Sequence, residues 1–381
     1  METRRIESLD EFLRLREPWD ELADACEAPE VFHRHAFLAS HVRAHRAEAA
    51  LAIETSWRDG QLVGIAPFTR AHEHFRGLEA RSLALLWSAV SPRGGWLVRE
   101  SADVDPLLDA LFARRDWDVL LAPNLRADLG STARLQGALA ERGIPHQDAP
   151  GFASPYLPIS GTWSAHWDAL PRERRRYLTK KCLNRLAREG GHAFERIATA
   201  EAFEAFVPEM YALSRKSWKA GVSSELRPHS PVARLLVDFA RHGLERGLVR
   251  IDALRLRGQL IAFEYMLVGP ERHSVVRSDY DLDHKYFTPG NALRLHIVRD
   301  LFETGAREYD LGGDPHPYKL EWCDRVRHHR TLTAANRTWR GRAILLAKNV
   351  LLPAWRRVRG QAAVATAAAP IPDEAGEGEA A

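Results

Sequence analysis

The chain contains two copies of one hairpin pattern, far apart in the sequence. Residues 51–68 read LAIETSWRDGQLVGIAPF, and residues 250–267 read RIDALRLRGQLIAFEYML. In each copy a β-rich run leads into a polar turn that ends in glycine, and Gln-Leu then opens a second apolar run. The turns Asp59-Gly60 and Arg257-Gly258 are typical of tight hairpins. A pattern that recurs in this way favours a fold built from two similar halves.

The segments that follow the two hairpins also repeat. After the first, the pattern predicts a strand at 83–90, a helix at 105–115, a strand at 117–123 and a helix at 131–143. After the second, it predicts a strand at 273–280, a helix at 289–305 and a strand at 307–311. A chain of 381 residues is also longer than a single domain with one hydrophobic core usually is. We therefore predict two related α/β domains, each with a central mixed (α+β) sheet flanked by helices, at 1–155 and 156–345.

Composition predicts a cytoplasmic protein. The formal net charge is only +3, so only a local cluster of basic residues could attract an acidic partner. The three cysteines lie far apart, as in a reduced intracellular protein, and the closely spaced histidines lack the spacing of a zinc site, so no metal is expected. The start METRRIESLDEF lacks the apolar stretch of a secretory signal, and no apolar run is long enough to span a membrane.

Basic residues concentrate between the two predicted domains, in PRERRRYLTKKCLNRLAREGG at 171–191. Tyr177, Leu178, Cys182, Leu183 and Leu186 form one apolar stripe, which predicts an amphipathic helix that ends at the two glycines. The cations around that stripe allow two interpretations. They either form a solvated helix face or attract a phosphate-bearing ligand or an acidic surface.

The C-terminal end divides into two parts. Residues 341–358, GRAILLAKNVLLPAWRRV, read as a basic amphipathic segment. It either packs on the second domain or makes a peripheral contact with the inner membrane. The rest of 346–381 has no core-forming pattern and is predicted to be disordered.

The stretch EYDLGGDPHPYKLEW at 308–322 places acids, glycines and a Tyr-Lys pair directly after a predicted strand. Together with the preceding TPGNALRLHIVRDLFETGAR, it resembles the C-terminal signature of CelD/BcsL-like acetyltransferases of the GNAT superfamily, which are associated with cellulose and exopolysaccharide biosynthesis. The matching positions are Pro289, Gly290, Asp310, Gly313, Asp314, Tyr318, Lys319 and Trp322. The resemblance covers about residues 10–340. Fem transferases share a double-GNAT plan, which agrees with the internal repeat.

The resemblance implies that acetyl-CoA or another acyl-CoA is a co-substrate. In GNAT folds the acyl-CoA pyrophosphate lies at the N-terminus of the helix after the fourth strand, where free N–H groups favour negative charge. In this chain that place is KYFTPGNAL, with Lys285, Thr288, Gly290, Asn291 and Ala292 as the implied binding residues. The usual polar residue at the start of the loop is Phe287 here. The alternative is that Pro-Gly simply begins a helix without binding anything.

The resemblance also implies catalytic residues. Tyr318 is expected on the helix after the fifth strand, where some GNAT enzymes hold a tyrosine that protonates the leaving thiolate. Asp310 is expected to end that strand, and Asp314 to cap the next helix. Lys319 is expected either to bind a carboxylate or phosphate or to pair with Asp310.

A general base must be found among the remaining acids. Glu264 is the one acid in the apolar run IAFEYMLV, so it is a candidate base, with an acid paired to an arginine as the alternative. Asp279 and Asp281 are further candidates.

The function predicted from these features is an acyl-CoA-dependent N- or O-acyltransferase, most simply an acetyltransferase, that acts by direct transfer on an amine- or hydroxyl-bearing acceptor. Two alternatives stay open. One is a Fem-like transferase that takes an aminoacyl group from a charged tRNA, the single case in which a nucleic acid would be a partner. The other is a non-catalytic GNAT-fold partner of exopolysaccharide machinery.

Overall fold

The computed structural model describes residues 1–75, 78–87, 90, 93–221, 224–323 and 325–347. Its strands form a single mixed sheet. The strands are β1 (Glu2–Ile6), β2 (Leu51–Arg58), β3 (Gln61–Phe75), β4 (Leu78–Leu85), β5 (Leu97–Val98), β6 (Val119–Arg126), β7 (His146–Pro158), β8 (His192–Ile197), β9 (Val249–Leu256), β10 (Gln259–Val268), β11 (Arg272–Tyr280), β12 (Glu308–Asp310) and β13 (Arg325–Ala335).

Helices flank this sheet, which confirms the predicted mixed α/β class. They are α1 (Leu9–Arg14), α2 (Arg16–Ala25), α3 (His35–His45), α4 (Val104–Ala113), α5 (Gly130–Glu141), α6 (Trp163–Ala169), α7 (Arg172–Tyr177), α8 (Asn184–Glu189), α9 (Ala200–Lys216), α10 (Pro231–Gly243), α11 (Pro289–Thr304), α12 (Pro317–Leu320) and α13 (Trp339–Leu346). A π-helical turn, Leu178–Leu183, joins α7 to α8.

The two halves of the sheet follow the same plan. The strand order is β1-β2-β3-β4-β6-β13-β7-β12-β11-β10-β9-β8, so β1 to β4 and β8 to β11 form two antiparallel series that run inward from opposite edges. Each series continues into one parallel neighbour, β6 next to β4 and β12 next to β11. The predicted hairpins, β2–β3 and β9–β10, occupy equivalent positions. Both turns have two residues with positive φ, as a tight hairpin requires.

One predicted strand begins and ends earlier in the chain than expected. The run at 83–90 was expected to be a strand, but β4 ends at Leu85. Leu86 stays buried beyond the strand, and its N–H still bonds to the Pro67 carbonyl. The apolar pattern therefore marked burial, which continues past the end of the strand.

The two half-sheets are joined by an exchange of strands. β13 comes from the end of the chain but pairs with β6 of the N-terminal half, and β7 pairs with β12 of the C-terminal half. β7 and β13 also pair with each other. The predicted boundary at 155/156 falls inside β7, so the sheet is continuous where the division was placed. The exact bounds of the two domains stay a prediction.

The halves also share core and charge contacts. The largest core cluster contains side chains from both, and the rings of Phe37 on α3 and Phe239 on α10 meet edge to face at 5.2 Å. At the centre of the sheet, the buried Arg93 of the N-terminal half forms ion pairs with Glu30 and with Asp310 at the end of β12. Arg327 of β13 pairs with Asp310 at 3.0 Å. Such buried pairs hold the seam in one register, because separating them would leave charges without partners.

The end of the described chain packs on the sheet. Ile344 and Leu345 of α13 are buried, and Ile344 packs with Ala80 and Val119. The predicted segment 341–358 therefore packs over its first residues, whereas 348–358 and the predicted tail lie outside the described residues. Among the helices that the structure describes, none is long and apolar enough to cross a membrane.

Candidate functional site

An opening separates β11 from β12 in the C-terminal half. The two strands pair only over Arg272–Ser274 and Glu308–Asp310, and β12 ends at Asp310 as predicted. β11 continues to Tyr280 with β10 alone as its ladder partner. The chain leaves β12 through Gly312, where a side chain would lie 2.7 Å from the Val275 carbonyl oxygen. Gly312 has φ +58, so both space and backbone favour glycine at the base of the opening.

Tyr318 lies beside this opening on α12, in the position that the sequence predicted. The guanidinium carbon of Arg294 is 5.8 Å from its ring centroid. Within the described part of the chain, no hydrogen bond to the Tyr318 hydroxyl is found, so the hydroxyl is free to contact a substrate. Burial raises the pKa of Tyr318, although the nearby Arg294 acts in the opposite direction. The hydroxyl therefore keeps its proton at neutral pH and can donate it.

Lys319, the next residue, is buried, and its Nζ donates to the Gly312 carbonyl. Burial lowers the pKa of Lys319 to about 7, and the positive charge of Arg294 adds to this effect. The suggested pair with Asp310 is wrong, because the Asp310 carboxylate is bound by Arg93 and Arg327 instead.

The two predicted aspartates do not face the opening as a pair. Asp310 is fully buried in the seam, and its Oδ1 accepts the Gly312 N–H at 2.7 Å, which fixes the start of the loop. Asp314 is exposed and does not cap α12. His316 holds the cap position, because the helix begins at Pro317, a residue suited to a first helical position. The capping prediction for Asp314 is therefore wrong.

Glu264 is buried below Tyr318, and both of its carboxylate oxygens have partners. Arg294 donates to Oε2 at 2.9 Å, and the Tyr309 hydroxyl donates to Oε1. This is the arginine-paired arrangement that the sequence left open for Glu264. Its contact with Arg294 fixes the guanidinium that lies against Tyr318.

Three residues of this cluster were missed in the sequence: Arg294, Tyr309 and Lys219. Arg294 gave a usable signal, since it falls on the apolar face of the helix in NALRLHIV. Lys219 gave none, because it lies in the polar segment after α9. Its Nζ donates to the Ser278 carbonyl at 2.6 Å and lies 2.8 Å from Asp279, and burial lowers the pKa of this amine.

The other two acids proposed as bases have structural partners. Asp279 is buried, with Lys219 and Arg277 as ion-pair partners. Asp281 is fully buried and accepts the Asp283 N–H at 2.9 Å, so it caps the 3-10 turn Leu282–Phe287 that leads to α11.

The N-terminus of α11 carries the predicted acyl-CoA residues. Thr288 has φ 47, an uncommon conformation for a β-branched residue, and its hydroxyl contacts the Cys182 sulfur at 3.0 Å instead of capping the helix. The N–H groups of Gly290 and Asn291 have no partner among the described residues. Ala292 differs, because its N–H already bonds to the Thr288 carbonyl at 3.0 Å. Lys285 is exposed just before this turn.

Space at the first turn of α11 suits a close approach. A side chain on Gly290 would come no nearer than 3.5 Å to the Tyr280 ring, so the position tolerates a small group but is open on the outside. Asn291 is held by two aromatic residues: its amide donates to the Tyr177 hydroxyl at 3.3 Å and accepts from the Trp322 indole at 3.2 Å. Two free N–H groups at a helix start are able to bind a phosphate. No group of three or more His, Cys, Asp or Glu side chains in the described ranges could hold a metal ion.

Comparison with known protein families gives one match, and it lies in the C-terminal half. Residues 173–320 match the family model described as "Acetyltransferase (GNAT) domain". No curated protein sequence matches the chain.

Three solved structures with similar folds cover most of the chain. FemX superposes with a TM-score of 0.57 at 12% identity, over 87% of this chain and 97% of FemX. L-PGS from Bacillus licheniformis gives 0.54 at 12% identity, over 90% of this chain and 96% of that one. The C-terminal domain of a putative lysylphosphatidylglycerol synthetase from Agrobacterium fabrum gives 0.53 at 12% identity, over 92% and 98%. At such identity these likenesses show the fold alone.

The match of residues 173–320 to a GNAT acetyltransferase domain supports an acyltransferase enzyme. The matched region contains the opening between β11 and β12, Tyr318, Lys319 and the start of α11. The finer resemblance to CelD/BcsL-like acetyltransferases is not tested by these comparisons and stays a prediction.

Proposed function

We propose that the protein is an acyl-CoA-dependent N- or O-acyltransferase that acts by direct transfer. Acetyl-CoA is the simplest donor, and the acceptor is an amine or hydroxyl. The CelD/BcsL-like signature suggests a role in polysaccharide or cell-envelope biosynthesis, in the cytoplasm or at the inner membrane. The observation that carries the proposal is the uncapped first turn of α11 beside the opening that holds Tyr318 and Lys319.

The start of α11 fits the phosphates of an acyl-CoA. The Gly290 and Asn291 N–H groups would donate to the pyrophosphate, and the positive end of the 16-residue helix adds to the attraction. Exposed Lys285 would add one positive charge. A bound acyl-CoA supplies a thioester, whose carbonyl carbon the acceptor attacks as the carbon–sulfur bond breaks.

The residues in the opening can manage the two protons of this exchange. Lys319, with a pKa of about 7, is neutral in a large fraction of molecules near neutral pH and would accept the proton from the attacking amine or hydroxyl. Tyr318, kept protonated by burial, would donate a proton to the departing sulfur. Glu264 would act through Arg294, whose position against Tyr318 it fixes.

A Fem-like reaction is the second candidate. It is favoured by the fold shared with FemX and by the many basic residues of 172–189, a stretch that contacts the start of α11. In that case the donor is an aminoacyl-tRNA, and binding to RNA phosphates should weaken steeply with salt.

One assay separates these possibilities. Purified protein is incubated with acetyl-CoA and a panel of small amines and sugar hydroxyls, and free thiol is followed with a thiol-reactive dye. We expect acceptor-dependent release of coenzyme A. Absence of coenzyme A binding, combined with salt-sensitive binding of tRNA, would instead support the Fem-like reaction.

A further inference from the structure

The charge of this chain is concentrated in the basic segment, which we define as residues 172–189. This segment contains eight Lys or Arg and two acids, Glu173 and Glu189, a formal charge of 8 − 2 = +6, compared with +3 for the entire chain. The remainder of the chain is therefore net negative. An excess of this size in one short segment creates a local positive field that attracts anions.

The structure places this segment directly against the start of α11. Leu178, Cys182 and Leu186 form its buried side, and Cys182 contacts Thr288 at the cap of α11. The predicted apolar stripe is thus correct for these residues, whereas Leu183 is exposed because the π-helical turn rotates it away. The Tyr177 hydroxyl reaches Asn291 in the first turn of α11.

Arg174 has an unusual environment within the segment. Its guanidinium lies over the ring of Tyr177 at 5.3 Å and that of Trp322 at 4.9 Å, the two rings that hold Asn291. One nitrogen, Nη1, pairs with Glu321 at 2.6 Å. The other two, Nε and Nη2, are buried and have no hydrogen-bond partner among the residues described. Buried donors without partners are rare and destabilising, so these two point to an acceptor supplied by a ligand.

The geometry of the two free nitrogens indicates which ligand. Nε and Nη2 lie on the same edge of the guanidinium, and this edge makes two parallel hydrogen bonds to a phosphate or a carboxylate. The two rings fix the plane of the fork, and Glu321 occupies the remaining nitrogen. The same two rings contact the side chain of Asn291 in the first turn of α11, where the free N–H groups suit a phosphate.

We infer that Arg174 binds a phosphate of the acyl donor's nucleotide through Nε and Nη2, and that the rest of the basic segment attracts this donor. The inference rests on the proposed function, because it takes the donor to be an acyl-CoA. Arg174 would be a second phosphate-binding site beside the pyrophosphate site on α11, and it lies outside both the sheet and α11.

Coenzyme A affinity of matched variants tests the inference. Arg174→Gln and Arg188→Gln each remove one positive charge from the same segment, but Arg188 is exposed near its far end. We expect the dissociation constant of coenzyme A to rise by about 10- to 100-fold for Arg174→Gln and by less than about threefold for Arg188→Gln. Equal effects of the two variants would mean that only the general field matters, and would overturn the assignment of Arg174.

Glu321→Gln separates ligand binding from a structural role of the Arg174–Glu321 pair. We expect this variant to leave coenzyme A affinity unchanged or to tighten it, because Arg174 is then freer to bind phosphate. If Glu321→Gln weakens binding as much as Arg174→Gln, the ion pair is structural and the assignment fails. Failure of the wild-type protein to bind coenzyme A would overturn the proposed function together with this assignment. If Arg174→Gln weakens binding of tRNA but leaves coenzyme A affinity unchanged, only the assignment of Arg174 is overturned.

Discussion

The two halves share one strand plan but differ at the places where a GNAT domain would bind its donor. In the C-terminal half, α11 begins with free N–H groups, and the gap between β11 and β12 is lined by polar side chains. In the N-terminal half, the counterpart of α11 is α4, which follows directly on a 3-10 turn, Ser101–Asp103, that the side chains of Glu100 and Asp103 cap. Two carboxylates at this position would repel a phosphate rather than attract it.

The second gap also differs. Between β4 and β6, Gly94 forms a parallel bridge with Leu125, and its N–H donates to the Asn124 carbonyl at 3.1 Å. A side chain on Gly94 would lie 2.3 Å from the Pro123 carbonyl oxygen, so the Gly94 backbone packs closely against β6 at this point. The two halves therefore share their architecture, but the N-terminal half has carboxylates before α4 and a bridge through Gly94 where the C-terminal half has free N–H groups and an opening. Its contribution is the shared core, the exchanged strand β7 and the buried Arg93 that holds Asp310.

The largest effect should come from Lys319→Met, which removes the amine and keeps an unbranched chain. If Lys319 accepts the acceptor's proton, turnover should fall by about 10²- to 10⁴-fold. In the wild type, kcat/KM should rise with pH up to about 7 and then level, because only neutral Lys319 is a base. Initial rates from pH 5.5 to 9 measure both. If kcat/KM of Lys319→Met rises with pH in the same way, the titrating group is not Lys319.

Tyr318→Phe should have the next largest effect. It removes the hydroxyl but keeps the ring against Arg294, so turnover should fall by about 10- to 1000-fold with little change in coenzyme A affinity. Tyr318→Ala serves as the comparison, since loss of the ring should also destabilise the fold by about 3 kcal/mol. Full activity of Tyr318→Phe, measured with its melting temperature, would remove this residue from the mechanism.

Lys319→Met should also make the fold more stable. The pKa of Lys319 is about 7 in the fold, below the value of 10.5 expected without burial. The unfolded chain therefore binds more protons between these pH values, and wild-type stability should rise with pH across that window. At pH 6 the variant should be more stable by about 2–4 kcal/mol, and the difference should shrink towards pH 10. Urea unfolding at both pH values tests this, and a constant difference would show that burial of the charge is not the cause.

Individual residues show which parts of the fold and of the candidate site could be predicted from the sequence. The repeat, α11 and the position of Tyr318 followed from local patterns, because turn residues and helical spacing act over a few neighbours. The partner of Asp310 could not be found this way, since Arg93 is 217 positions away and reaches it only through the exchanged strands. Lys219 likewise could not be recognised, because its contacts with Ser278 and Asp279 lie far away in the sequence. These two contacts are long-range, and a local pattern does not encode them.

Gly290→Val should give a smaller effect that sharpens the contrast between α11 and α4. The branched side chain would obstruct the approach of a phosphate to the Gly290 and Asn291 N–H groups, so the dissociation constant of coenzyme A should rise by about 10-fold. Gly290→Ala is the matched control, because its single carbon fits at 3.5 Å from Tyr280 and obstructs less. Calorimetric titration measures the affinities. Unchanged coenzyme A affinity in a folded Gly290→Val variant would move the phosphates away from α11.

Asp103→Asn, at the start of α4, should have the smallest effect. Asparagine is as good at a helix start as aspartate and keeps an oxygen that can accept the Glu100 N–H, which lies 3.1 Å from the carboxylate. Two energetic changes oppose each other: burial raises the pKa of Asp103, so loss of its charge relieves a cost, while the pair with half-exposed Arg58 is lost. Stability should therefore change by less than about 1 kcal/mol, and coenzyme A affinity by less than about twofold. Urea unfolding and titration of this variant beside Gly290→Val make the comparison direct. A larger loss of coenzyme A affinity in Asp103→Asn than in Gly290→Val would mean that the donor binds at α4, and that the N-terminal half contains the active site.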